Sequence, residues 1–474
     1  MSVTSLTFIA FAMATAVLHA LWSNSIWRAA IFLAANVLFV AAFTTSPQAL
    51  LPYSLFLLWG YISVRSAQFV PGQAAAALFV VSTLVIFCWL KKYWFLSAFS
   101  FLSYPYLTIG LSYSFFRIMG MIIDARDDPE IAKVGPVGYF NFAMNFPTMI
   151  AGPIDRYQNF SQPAEPVTWP MVGRGIERMV IGIFKVVVLS AMFSSLQSQG
   201  TDGVLGNAAA AHKILLSLMS FGVYPIYLYF NFSGYTDIVI GVGYLFGKQY
   251  PENFNAPFSS FNFLEYWTRW HMSLSNWLRD YVYTPLVQFM MRRSSSKWLD
   301  PYIGAIGYFV TFFLIGIWHG STVIFAIYGL LLGLGVSVNK LYQIHMATLI
   351  GKKPYKNLTA QSYYRFSARG LTYTWTSFCL ICFWASGEQA TRIVQALGTG
   401  GLVISFLCLF AAAIVLVNVW EEALAALGRM AAAVAESEFA PFARAAAIGC
   451  LVFACLAFIM VTHQVNSDII YQAF

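Results

Sequence analysis

Histidines are the first place to look for proton chemistry, because an imidazole changes charge near neutral pH. This chain has six: His19, His212, His271, His319, His345 and His463. Only His271 and His319 stand among mixed polar and aromatic residues. His319 lies in Ile317-Trp318-His319-Gly320-Ser321. There Trp318 offers a rigid apolar wall, and Gly320 lets a backbone or a substrate come close. Set against that, a lone His at a helix end is more often a capping or interface residue. His271 lies in Glu265–Leu286, EYWTRWHMSLSNWLRDYVYTPL. That stretch gathers Glu265, Arg269, Arg279 and Asp280 with Trp267, Trp270, Trp277, Tyr266, Tyr281 and Tyr283, in a chain only 10% charged. Read as one helix, Trp267, Trp270, Leu274, Trp277 and Leu278 share a side, and Arg269, Ser273, Asn276 and Asp280 share another. It is too polar to face lipid and too aromatic to float in water, so it belongs inside the protein or along a cavity.

Three further clusters carry chemistry or shape. In Asn145–Tyr157, NFPTMIAGPIDRY, Pro147, Gly152 and Pro153 break a helix, and Asp155 and Arg156 stand at the break. Broken backbone at membrane depth is tolerated only when buried in protein or facing water; an ordinary polar turn is the equal alternative. In Phe232-Ser233-Gly234-Tyr235-Thr236-Asp237 a carboxylate sits within an apolar run, where it needs a partner. Its role is either structural or catalytic. PENFNAPF, Pro251–Phe258, leads into the aromatic stretch and sets its entry angle. No Gly-x-Ser-x-Gly elbow, P-loop or metal-ligand spacing accompanies these residues. Cys379 and Cys382 form a C-x-x-C on an apolar segment with no ligand cluster nearby, so no metal is expected.

The elements that position these residues must be membrane helices. Hydrophobic residues are 59% of 474 and aromatics 18%, with a mean hydropathy of +0.67. A bilayer accepts helices or closed barrels, and the alternating ~10-residue pattern of a barrel strand is absent. The chain is therefore an all-α polytopic membrane protein. Apolar runs near 5–22, 28–45, 48–63, 74–90, 95–123, 136–151, 175–196, 213–246, 301–318, 322–341, 368–386, 398–420 and 445–462 give roughly 11–13 helical segments. The first is read as a retained span. The run 213–246 is long enough for two helices broken around Pro225 and Phe232–Gly234. The excess of 27 Lys+Arg over 19 Asp+Glu belongs to cytoplasmic loops, not to nucleic acid. Lys340, Lys352, Lys353, Lys356, Arg365 and Arg369 mark one such loop and Arg292, Arg293 and Lys297 another. His319, at the junction of the two helices between them, points away from the cytoplasm or lies deep in the membrane. Three regions follow: a body over 1–420, an amphipathic linker helix over 421–444, and a last span with an external tail over 445–474.

The ordered set LSYSFFRIMGMIIDAR (111–126), FPTMIAGPIDRY (146–157), FSGYTDIVIG (232–241), LFGKQYPENFNAPF (245–258), WTRWHMSLSNWLRDYVY (267–283) and GIWHGS (316–321) resembles the membrane-bound O-acyltransferase (MBOAT) family. It is similar to the bacterial branch that acylates cell-surface polymers. GPIDRY, PENFNAPF and WHMSLSNWLRD look like the teichoic acid D-alanylation members, and FSGYTD like the alginate O-acetylating ones. The resemblance implies helices ringed around a central tunnel and funnel. It implies His319 as the catalytic residue, with His271 supporting it. Trp318, Asp155, Arg156, Trp267, Trp270, Ser273, Asn276, Arg279 and Asp237 are the expected substrate-binding residues. It also implies a bacterial inner-membrane location and no bound cofactor. The donor would be a phosphopantetheine-linked acyl thioester on a cytoplasmic carrier protein, and the acceptor a cell-surface polymer or an extracytoplasmic transferase. The ending Asp468–Phe474, DIIYQAF, resembles the small single-span partner of D-alanylation systems, whose tyrosine would here be Tyr471. A phenol can serve as an acyl relay, because its ester is a better leaving group than an alkyl ester. Polysaccharide O-acetylation is the rival within the class. A secondary transporter is the rival outside it, but no related halves are visible.

Overall fold

A computed structural model describes residues 3, 5–67, 69, 73–99, 101–294, 296–437 and 440–462. Tyr471 and His463 lie outside the described residues. Among those described the chain is helical throughout, with one isolated antiparallel bridge, Phe254 to Trp270. Among the described residues six helices are long and apolar enough to cross a bilayer: Trp169–Leu205, Ala210–Leu245, Tyr302–His319, Val323–Leu349, Gly387–Ala435 and Ala440–Thr462. Leu6–Ala20, Ser25–Ala41 and Ala77–Leu90 are shorter apolar helices. The expected polytopic all-α class is what the chain adopts.

Two local expectations are corrected. The run 213–246 is one helix, Ala210–Leu245, with Pro225 inside it. The proline removes one hydrogen bond, but the Tyr373 hydroxyl donates to the Gly222 carbonyl at 2.5 Å in the same turn. A side chain thus serves the backbone that the proline loosens. Gly234 is not a break either. A Cβ on Gly182 would sit 2.5 Å from the Gly234 carbonyl oxygen, and one on Gly175 would sit 2.8 Å from that of Gly241. Two glycines seven residues apart on each of two antiparallel helices let the backbones touch, the small-residue packing that membranes favour. The second correction concerns 421–444: residues through Ala435 simply continue Gly387–Ala435, whose one non-helical residue is Gly398, at φ 65°.

The chain forms two compact units. One comprises Met1–Val187, Asn231–Glu252 and Leu451–Phe474; the other comprises Val188–Phe230 and Asn253–Cys450. The first is organised around the break that NFPTMIAGPIDRY predicts. Helix Pro136–Met144 ends at Asn145 (φ 16°, ψ 78°), and a short turn, Phe146–Thr148, follows. The carbonyls released there are met by Arg117, which is 2% exposed. Its guanidinium donates to Ala143 O at 3.2 Å and Thr148 O at 2.7 Å, and it also contacts the Thr148 hydroxyl. Ser114 Oγ donates to Ala143 O at 2.9 Å, and Asn36 Oδ1 accepts from Phe146 N at 2.7 Å. A broken helix in a buried interior survives because backbone groups released at the break have found side-chain partners.

Asp237 has the partners that an intramembrane carboxylate needs. Lys185 Nζ lies 2.6 Å from its Oδ2 and Arg178 Nε 3.0 Å from its Oδ1, while Arg178 also grips both oxygens of Glu252 at 2.6 Å. Lys185 opens a π-helical turn, Lys185–Ser190, an irregularity that re-aims side chains within a helix. Two cations face two anions, so the cluster is neutral as a whole.

In the second unit, Asp300–His319 and Val323–Leu349 form a hairpin whose close contact is again glycine on glycine: a Cβ on Gly316 would lie 2.1 Å from Gly329 Cα. The three-residue link between them holds His319 at a helix end. The glycine contacts make a direct test. Gly234→Val should cost about 1–3 kcal/mol by overpacking, read as a lower midpoint of thermal denaturation in detergent. Gly400→Ala, which meets nothing within 4 Å, should leave the midpoint level or raise it.

Candidate active site

The two histidines singled out by their neighbours both pack against one tryptophan in the second unit. His319 is 4% exposed and His271 2%. The Trp318 ring touches both: its centroid is 4.7 Å from that of His319 and 6.4 Å from that of His271. Phe383 packs edge-on to His319 at 5.0 Å and Tyr328 at 5.8 Å, and Phe325 closes on Phe383 at 6.1 Å. His319 thus ends its helix inside an aromatic wall, in a setting of low polarizability where a proton acceptor and developing charge are little screened.

His271 is placed by an unusual backbone. The stretch expected to be one helix is three pieces: Phe263–Arg269, Met272–Leu278 and a π-helical turn, Arg279–Tyr283. His271 stands at the first joint in the left-handed conformation, φ 44° and ψ 51°. For a residue with a Cβ that costs about 1–2 kcal/mol, so tertiary contacts must impose it. Those contacts come from PENFNAPF. Asn255 N donates to Arg269 O at 3.0 Å and Met272 N to Asn253 O at 3.0 Å. Phe254 pairs with Trp270 across the bridge, their rings 5.0 Å apart. PENFNAPF therefore does more than set an entry angle. It is the strand-like splint against which the chain turns at His271.

The break redistributes the expected substrate-binding residues. Trp318 is at the site. Ser273 is buried nearby, its hydroxyl donating to Asn253 Oδ1 at 2.6 Å. Trp267 packs on Phe312 at 5.2 Å and Trp270 stacks on Tyr266 at 5.6 Å, so both are walls of the fold. Asn276 is exposed. Arg279 is exposed and pairs with its neighbour Asp280 at 2.9 Å. The continuous polar face from Arg269 to Asp280 does not exist, because the turn at His271 and the π-turn at Arg279 each rotate it. Asp155, Arg156 and Asp237 belong to the other unit. Asp155 Oδ1 accepts from Arg156 N at 2.8 Å and from Asn159 Nδ2 at 3.1 Å. It lines a cleft of about 130 Å³ with Glu165, Lys248 and Tyr250. Burial is the largest influence on both charged groups there, pushing the Asp155 carboxyl up and the Lys248 ammonium down. Among the described residues no group of three or more His, Cys, Asp or Glu is arranged to hold a metal ion.

Several site residues were not visible in the sequence. Tyr328 and Phe383 lie in ordinary apolar runs and reach His319 only through packing. Asn253 was visible only as part of a motif, and Arg178 and Lys185 only as cations without a stated partner.

A helical membrane protein with two buried histidines on one tryptophan ring, one of them at the end of an apolar helical hairpin, has the makings of a transferase that works within the bilayer. The model of the MBOAT, membrane-bound O-acyltransferase, family matches residues 7–383, and the chain belongs to that family: it is a membrane acyltransferase. It is 34% identical over 297 residues to a teichoic acid D-alanyltransferase of Bacillus subtilis, covering 59% of this chain and 70% of that protein. It is 29% identical over 318 residues to a probable alginate O-acetylase of Pseudomonas aeruginosa, covering 65% and 58%. It is also 32% identical over 209 residues to a peptidoglycan O-acetyltransferase of Helicobacter pylori, covering 43% and 37%. The chain thus spans less than two thirds of the length of the last two. The resemblance read from the six motifs is borne out at the level of family and class.

Trp318→Ala would remove the ring that touches both imidazoles. It should lower single-turnover acyl transfer at least about tenfold through lost placement. The half-buried position should keep the fold, checked by gel filtration in detergent.

Proposed function

We propose that this chain moves a small acyl group, D-alanyl in preference to acetyl, from a carrier-protein thioester on the cytoplasmic side of a bacterial inner membrane to a hydroxyl on the far side. One observation supports it most: His319 and His271 are buried on one aromatic wall, in contact with the same Trp318 ring. Neutral imidazole at His319 takes the proton of the acceptor hydroxyl. The oxygen attacks the thioester carbonyl carbon, the C–O bond forms, and the C–S bond breaks with collapse of the tetrahedral intermediate. The departing thiolate takes the proton back from the imidazolium. His271 orients the substrate or donates to the carbonyl oxygen as charge develops there. The phosphopantetheine arm supplies the thioester and stays on its carrier, so no cofactor resides in the chain.

The first acceptor in this reading is the phenol of Tyr471, outside the described residues, and the final acceptor is a cell-surface polymer, reached directly or through an extracytoplasmic transferase. The D-alanyl assignment draws on the Bacillus subtilis relative, at 34% identity. Acetyl transfer to a polysaccharide is the second reading, favoured by the alginate and peptidoglycan relatives.

The test is polymer acylation in cells carrying single variants. His319→Ala should lower acylation about 10²–10⁴-fold, the usual contribution of a positioned general base. Tyr471→Phe should abolish a covalent adduct on the C-terminal peptide. The adduct's mass separates D-alanyl from acetyl, and normal acylation with both variants sinks the mechanism.

A further inference from the structure

A helix that begins at a turn leaves its first N–H groups without intrahelical partners, and the residue at its N-cap ordinarily meets one of them with its own side chain. His271 occupies the N-cap of Met272–Leu278 and makes no such side-chain bond. The N–H groups of Met272 and Ser273 are met instead by Asn253, eighteen positions before His271 in the chain. Its backbone carbonyl accepts from Met272 N at 3.0 Å. Its side-chain Oδ1 accepts from Ser273 N at 3.1 Å and from the Ser273 hydroxyl at 2.6 Å. The amide orientation follows from chemistry: a backbone N–H can only donate, so the atom facing Ser273 N is the oxygen. Asn253 is fully buried, and no water competes for these bonds.

We infer that Asn253 is a positioning residue for His271: it caps the helix in place of the histidine, so that the imidazole is held out of the capping role and kept at the Trp318 wall. The left-handed backbone of His271 and the cap are one device. The left-handed turn is strained for a residue with a Cβ, cap bonds stabilise a helix start, and the three Asn253 bonds act together to hold it. Without Oδ1 the cheapest repair is for His271 to relax toward an extended N-cap and turn its ring to the exposed N–H groups, away from the reaction. Ser273, expected to touch substrate, acts here as the second half of the cap. The inference rests on the reading above that His271 serves acyl transfer.

A double-mutant cycle on the full-length protein in detergent, with a purified carrier thioester as donor, tests it. Asn253→Ala should lower kcat about ten- to a hundredfold with KM for the carrier thioester unchanged. In a His271→Ala background the same change should add less than a factor of two. Asn253→Asp keeps an oxygen for the same two bonds and should stay within threefold of the parent. Independent, multiplying losses from Asn253→Ala and His271→Ala overturn the inference and leave the reading of His271 intact. A folded Asn253→Asp as slow as Asn253→Ala also overturns it. Full turnover of His271→Ala removes the reading itself, and Asn253 would then position nothing. Should Asn253→Ala fail to accumulate, Ser273→Ala, which deletes only the 2.6 Å bond, takes its place in the cycle with the same coupled or independent outcomes.

Discussion

A polar backbone group in a bilayer interior has no water to fall back on, and that constraint organises both units of this protein. Continuous helices satisfy it internally. Where the chain departs from a helix, a buried side chain can substitute, and two breaks in this structure are served in that way. At Asn145–Thr148 the substitute is Arg117, assisted by Ser114 and Asn36. At Trp270–Met272 it is Asn253. In both cases one buried residue accounts for several orphaned groups, so the irregular backbone is as determined as the helices around it.

The same logic explains the charges. Asp237 would be prohibitive alone in an apolar helix, yet Lys185 and Arg178 lie within 2.6 and 3.0 Å, and Arg178 extends the cluster to Glu252. Buried ion pairs contribute little net stability, because desolvation offsets attraction. What such a cluster does well is fix register. Here it ties helix Trp169–Leu205 to Ala210–Leu245 along the line where glycine already meets glycine. Packing sets how near the two helices come, and the ion pairs set how far one can slide along the other.

Around the two histidines, aromatic packing is prominent. The adjacent Trp318, Tyr328 on the next helix and the sequence-distant Phe383 crowd His319 together. Rings have few rotamers and large contact areas, so they fix the imidazole with little conformational freedom left to lose. The backbone carrying both histidines is fixed: a glycine contact closes the hairpin carrying His319, and a cap secures the turn carrying His271.

What the sequence by itself determined was everything written in composition, periodicity and local breakers. Apolar runs give a helical membrane protein, Pro147, Gly152 and Pro153 give the break beside Asp155, and the WHG junction puts His319 at a helix end. The ordered motifs give the family. The tertiary structure decided the rest, and for one reason: the relevant energies are non-local. Nothing in Thr268–Ser273 signals a left-handed residue, since it holds no Gly or Pro, and the turn is imposed by Asn253. Pro225 reads as a breaker but sits inside a long helix, with a Tyr373 hydroxyl on the adjacent carbonyl. Phe383 looks like any span residue until folding carries it to His319. A local pattern encodes hydropathy and dihedral preference, while a cap, a clamp or an aromatic wall exists only once distant segments meet.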